Sequence, residues 1–344
     1  MLRNTVSPTA LAALLLAACG ASCIVAGPLE IGQQKRSWLP DDPSGDITLG
    51  VRMSDSLSGI IFDSMTGIWA SQDRDSFLFL DGRYHYEDNG QFINSTGLGF
   101  RQLVPGRDVI LGANIYRDSI QSEYNNDFVQ CGFGVEMLTR WVDARFNYYL
   151  PESDRYEIGR SSAHSSRTES GGDAVVRSER RVDFKNFETS LEGYNAELGV
   201  LIPGLDKFAE VHAYAGYYHY NNPFGRDFDG FKARIEARVL RGVTTGVEYW
   251  DNAALMGGHW TASISVSVPF STYNLLTGKN PFEGAGEYMK PLPRPFSSRM
   301  SDMVERSHRI QTVTSGNVVS CGSTSRKTGP LATSSKKGAN ISAE

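Results

Sequence analysis

Beyond the N-terminus, no stretch of this 344-residue chain is apolar for long enough to cross a bilayer as a helix, so helical spanning is excluded there. Cysteine is scarce. Of four, Cys19 and Cys23 lie in or beside an N-terminal segment with the marks of an export signal, and Cys131 and Cys321 are far apart. That spacing supports neither a disulfide framework nor a metal-binding cluster. The six histidines (His85, His164, His212, His219, His259, His308) include no H-E-x-x-H pair. There is no G-x-S-x-G elbow and no glycine-rich phosphate loop followed by lysine. No enzyme activity, metal or cofactor is expected. An excess of positive charge is missing too: the formal charge is -5 and no basic stripe stands out, which argues against nucleic acid as a partner.

What the chain does have is alternation. Between Gly230 and Phe270, Phe231, Ala233, Ile235, Ala237 and Val239 fall on one face of an extended strand, and Lys232, Arg234, Glu236 and Arg238 on the other. Arg241-Gly242 turns the chain into a strand from Val243 to Trp250. A third strand sets Trp260, Ala262, Ile264, Val266, Val268 and Phe270 against Thr261, Ser263, Ser265, Ser267 and Pro269. Strands of roughly ten residues are what a tilted crossing of a bilayer needs. A soluble sandwich would alternate as well, with its apolar face inward, so alternation leaves both readings open.

Nine earlier segments extend the pattern to twelve strands between residues 46 and 270. In them Asp81, Arg83 and His85 oppose Leu80 and Tyr84, Asp143 and Arg145 oppose Ala144 and Phe146, and Glu197 lies between Ala196 and Leu198. Connection lengths favour the barrel. Ser71–Arg74, Pro105-Gly106-Arg107, Thr139-Arg140, Pro203–Asp206 and Arg241-Gly242 read as tight. Asp118–Asp127, 151–189, Asn221–Asp229 and Asp251–His259 read as long. Short turns at one end and long loops at the other characterise outer-membrane barrels, and an even strand count returns the chain to its starting side. The expected fold is therefore all-β: a twelve-stranded antiparallel transmembrane β-barrel. Asp81, Arg83, His85, Asp143, Arg145, Glu197, Lys232, Arg234, Glu236 and Arg238 line its lumen. Trp69, Trp141, Tyr148, Tyr149, Tyr217, Tyr218, Trp250 and Trp260 sit near strand ends as interfacial girdles.

Residues 1–26 read as a signal peptide, with Leu16-Ala17-Ala18-Cys19 as an alternative lipid-attachment site at Cys19. Residues 27–45 read as a periplasmic lead-in. The 151–189 loop is low in complexity at Ser161–Gly172 and dense in charge at Arg177–Arg181. It reads as a solvated loop, with a surface or host ligand as the functional alternative. Residues 312–344, rich in Ser, Thr, Lys and Gly, read as a disordered tail.

The order of motifs resembles the β-domain of inverse autotransporters, the intimin and invasin family. The likeness rests on Leu78-Phe79-Leu80-Asp81-Gly82-Arg83 with Glu87-Asp88-Asn89-Gly90, on Gly97-Leu98-Gly99-Phe100-Arg101, and on Leu111-Gly112-Ala113-Asn114. It continues through Phe146-Asn147-Tyr148-Tyr149-Leu150-Pro151, Tyr194-Asn195-Ala196-Glu197-Leu198-Gly199, Ile202-Pro203-Gly204-Leu205, Gly246-Val247-Glu248-Tyr249-Trp250 and Val268-Pro269-Phe270. The resemblance implies a bacterial outer-membrane anchor and translocator with loops at the cell surface. It also implies that residues 271–311 form a linker with a short helix in the lumen over Met300–Gln311, and that a passenger follows. Trp260 and Phe270 would belong to the terminal-strand signal read by the barrel-insertion machinery, with outer-membrane lipid around the barrel. The family's adhesins carry sandwich domains after the linker, whereas only a short tail follows Gln311 here, so adhesion is left open. A porin-like pore or surface-loop binding protein, and a soluble or lipid-anchored secreted β protein, are the alternatives.

Overall fold

The computed structural model describes residues 45–328, apart from 56, 72, 154, 172–173, 206–207, 253–258, 272–273, 276 and 284. The expected signal peptide, Cys19 and residues 329–344 lie outside the described residues. The chain divides into two units: residues up to 153 together with 191–311, and residues 154–190 together with those from 312 on.

In chain order the strands are β1 (Gly45–Ser54), β2 (Gly59–Ala70), β3 (Ser76–Glu87), β4 (Phe92–Leu103), β5 (Val109–Gln121), β6 (Asp127–Thr139) and β7 (Val142–Pro151). Then come β8 (Tyr156–Gly171), β9 (Ala174–Ser190), β10 (Gly193–Leu201), β11 (Glu210–Tyr220), β12 (Phe228–Leu240), β13 (Val243–Trp250), β14 (Trp260–Phe270) and β15 (Thr312–Thr328). Twelve of them, β1–β7 and β10–β14, form one closed barrel, with β7 beside β10 and β14 closing on β1. The closing pair runs antiparallel from Gly45 opposite Phe270 to Ser54 opposite Thr261. Closure gives every strand two neighbours, so no backbone edge is left for hydrocarbon to meet.

Alternation decides the two faces. Leu49, Ile60, Leu98, Ile115, Val135, Phe146, Ile235 and Ile264 are exposed, as are Phe231 at 68% and Leu198 at 63%, while Asp63, Asp81, Arg101, Asp118, Asp143 and Asn195 are buried. Apolar side chains point out and polar ones in, the reverse of a sandwich core. The same period corrects the aromatic girdle: Tyr149, Tyr218 and Trp250 are buried in the interior. Each follows or precedes an outward neighbour, and adjacent residues on a strand cannot share a face.

Connection lengths alternate less than the sequence suggested. β5 and β6 run on until only residues 122–126 separate them, with Gln121 still opposite Asp127 and Gln130 Nε2 donating to Asp118 Oδ2 at 3.0 Å on the inward face. The one long excursion, 152–192, is not a loose loop. It carries the hairpin β8–β9, and the expected disordered tail supplies β15 to the other side of β9, giving a separate sheet ordered β15-β9-β8. Residues 160–169 are exposed on both faces of that sheet, so the polar Ser/Thr run shows no apolar alternation although it is a strand. The signal used to find strands is burial of one face, and here neither face is buried.

Candidate functional site: the lumen and its plug

The site is the barrel interior and the segment that fills it. After β14 the chain passes under the β12–β13 turn, where the backbone N–H of Gly242 donates to the Tyr288 carbonyl at 2.7 Å. Tyr288 belongs to the first of two short 3-10 turns, Ala285–Met289 and Phe296–Ser301. Arg299 Nη1 then donates to the carbonyl of Thr139, the last residue of β6, at 2.5 Å. Ten residues on, Arg309 pairs with Glu87, the last residue of β3. The β6 end lies with the short turns and the β3 end with the long connections, so residues 299–309 cross the lumen from one end to the other.

They do so without the expected helix over Met300–Gln311. Asp302 is extended (φ -62°, ψ 143°), and residues 303–311 form neither helix nor strand. Wall side chains take the place of the missing backbone bonds. Arg101 Nη1 donates to the Met300 carbonyl at 2.9 Å and to that of Asp302, and Arg83 Nη2 donates to the Val304 carbonyl at 2.6 Å. Asn147 Nδ2 reaches the Glu305 carbonyl at 3.3 Å, and the Ser307 N–H donates to Tyr149 Oη at 2.8 Å. Buried backbone groups need partners, and partners supplied by the wall remove the drive to close i→i−4 bonds.

Charge pairing fastens the plug. Asp143 accepts Arg299 at 3.0 and 2.7 Å. Asp118 accepts Arg306 in a two-pronged pair at 2.6 and 2.7 Å, both side chains 0% exposed. Asp302 is held by Arg294 at 2.5 Å and Arg238 at 3.2 Å, and Arg234 reaches Glu305 at 3.5 Å. His308 sits between Arg83 and Arg306, edge-on to His85 and Tyr116. Toward the short-turn end, Met300 and Val304 pack with Met65, Phe77, Phe79, Ile110, Tyr116 and Leu138 as an apolar stopper. The wall makes room by omission: a Cβ on Gly132 would run into the Arg306 guanidinium.

The ten lumen residues named from sequence all lie on the inward face. Glu197 is a hub for Lys232 at 2.9 Å, Arg234 at 2.7 Å and Arg145 at 3.4 Å. Asp81 takes Arg83 at 3.3 Å and the Tyr116 hydroxyl at 2.5 Å, His85 lies 3.6 Å from Asp63, and Glu236 pairs with Arg234 at 2.5 Å. Trp260 is exposed on the barrel exterior, whereas Phe270 is only 9% exposed, its ring lying over Gly45 across the seam. The structure adds Arg101, Asp118, Tyr149, Arg299, Arg306 and Arg309. Parity would have found the first three, since Arg101 shares its face with Gly97 and Gly99. The plug arginines had no such signal, because a segment with wall on every side has no outward face against which to contrast them. Among the described residues, no group of three or more His, Cys, Asp or Glu could hold a metal ion.

An even-stranded closed barrel with an apolar exterior and a polar interior occupied by its own chain is a barrel of the bacterial outer-membrane type. Residues 27–256 match the family model described as inverse autotransporter, beta-domain, and the chain belongs to that family. A solved structure described as "Unveiling the Mechanism Behind the in-meso Crystallization of Membrane Proteins" shares the fold, with a TM-score of 0.51 at 16% identity over 79% of this chain and 99% of its own. The translocator domain of autotransporter NalP from Neisseria meningitidis covers 65% of this chain and 84% of its own at 15% identity and a TM-score of 0.25. The β-domain of the Bordetella autotransporter BrkA covers 64% and 96% at 12% identity and a TM-score of 0.24. No curated protein matches the sequence.

Proposed function

We propose that this barrel anchors and exports its own C-terminal segment, which it displays with its loops at the cell surface as an adhesin-related element. The observation that carries this reading is the path of residues 299–309, bonded to the wall from the Thr139 end to the Glu87 end. A segment that runs the length of the lumen, tied at both ends, is what an exported chain would leave behind in its own barrel. The wall suits that task in part, because Arg101 and Arg83 hold the Met300 and Val304 carbonyls, groups that any peptide sequence presents. Open conduction is the weaker reading, since the same segment occupies the lumen. Tags at Ser165 and after Glu344, probed by protease on intact cells, test the topology. Accessibility of both is expected, and protection at Ser165 would place the loops on the wrong side.

A further inference from the structure

From Thr312 opposite Ser190 to Thr328 opposite Val175 the tail lies antiparallel along β9, with one shift between Val318 and Ser320. On its other side β9 pairs with β8 from Tyr156 opposite Glu188 to Gly171 opposite Ala174. This sheet has little core to hold it. Both faces are exposed over residues 160–169, and the partly covered side chains Val182, Phe184 and Phe187 gather toward the Ser190 end of β9. A lone two-stranded hairpin is marginal in water, and a third strand is what gives such a sheet stability. Folding of β8–β9 and docking of β15 are therefore one cooperative event, in which each needs the other.

Resting on the export reading above, we propose that the β8–β9 hairpin is an intramolecular acceptor. Its β9 edge captures the segment leaving the lumen by strand addition, and this capture retains the exported chain outside. The recognition is of backbone, through ladder hydrogen bonds, so it fits any extended segment that emerges at that position rather than a particular sequence. A longer passenger would be seized by its first extended residues in the same way. Before export the acceptor has no third strand; after it, return of the tail would require breaking the ladder along the full length of β9.

Two experiments test this on intact cells carrying the full-length protein with Cys131→Ser. Val182 is the cross-strand partner of native Cys321, and Arg181 points to the opposite face. Under mild oxidation Val182→Cys is expected to link to Cys321, seen as a joined peptide by mass spectrometry, and Arg181→Cys is not; equal linkage from both would overturn the register. Next, residues 156–190 are replaced by a Gly-Ser linker, or Gly322 and Ser323 are both changed to proline, so that at least one ladder donor toward β9 is lost whichever way the strand faces. Antibody labelling of a tag after Glu344 should fall by about tenfold or more, as expected when several cross-strand pairs are lost together, while heat-modifiable mobility of the barrel stays unchanged. Undiminished labelling of either assembled variant would refute the acceptor and leave export standing. A tag inaccessible on wild-type cells would refute export itself and the acceptor with it.

Discussion

Asp118→Asn isolates the strongest link between wall and plug. The carboxylate receives both terminal nitrogens of Arg306 at 2.6 and 2.7 Å, and neither side chain touches solvent. Replacing it by the isosteric amide keeps the volume but leaves a guanidinium buried without its counter-charge. Removing one partner of a buried pair costs about 3–5 kcal/mol. The lower end applies here, because Arg306 keeps the ring faces of Tyr116 at 4.5 Å and Tyr149 at 5.4 Å. The cost falls on plug docking rather than on the barrel, whose strands pair with each other. About 3 kcal/mol corresponds to about 10²-fold in the closed-to-open ratio of the lumen. Planar-bilayer recording reads that ratio directly, with heat-modifiable mobility as the control for barrel assembly. Swapping both partners for apolar residues, Asp118→Leu with Arg306→Met, should restore closure in part, since no unpaired charge is then left behind. If Asp118→Asn closes as tightly as wild type, or the double variant leaks more than the two single changes together, this pair does not hold the plug.

Gly132→Ala should act in the same direction. Its Cβ would strike the Arg306 guanidinium, an overpacking effect of about 1–3 kcal/mol, visible as raised conductance with unchanged barrel mobility. Leu198→Arg, on the exposed exterior, should destabilise the inserted barrel by about 2–4 kcal/mol if the site is near the bilayer centre; urea titration in lipid vesicles measures it, and no loss would mean that this face does not meet hydrocarbon. Deleting Ser297–Glu344 removes the Arg299, Asp302, Arg306 and Arg309 ties at once. Conductance should rise sharply in that variant, and unchanged conductance would show that the segment does not obstruct the lumen.

The stretch from Phe231 through Gly242 shows how much could be read before any coordinates. Charged residues on one parity and apolar on the other as far as Val239, ended by Arg241-Gly242, specify a strand with two unlike faces and a tight turn, because side-chain direction along a strand is a local property. Twelve such segments and the inward set around Glu197 and Asp143 follow from that local rule. Where the chain goes after Phe270 does not. The family resemblance implies a helix over Met300–Gln311, yet Arg101, Arg83, Asn147 and Tyr149, brought together from three different strands, bind its backbone and take the place of helical bonds. The tail and the 151–189 segment are polar on both faces, so their strand character is invisible until Val182 and Cys321 are seen opposite one another across β9. Residue type and period determined the barrel wall; partners distant in sequence, supplying hydrogen bonds that no local pattern encodes, decided the plug and the second sheet.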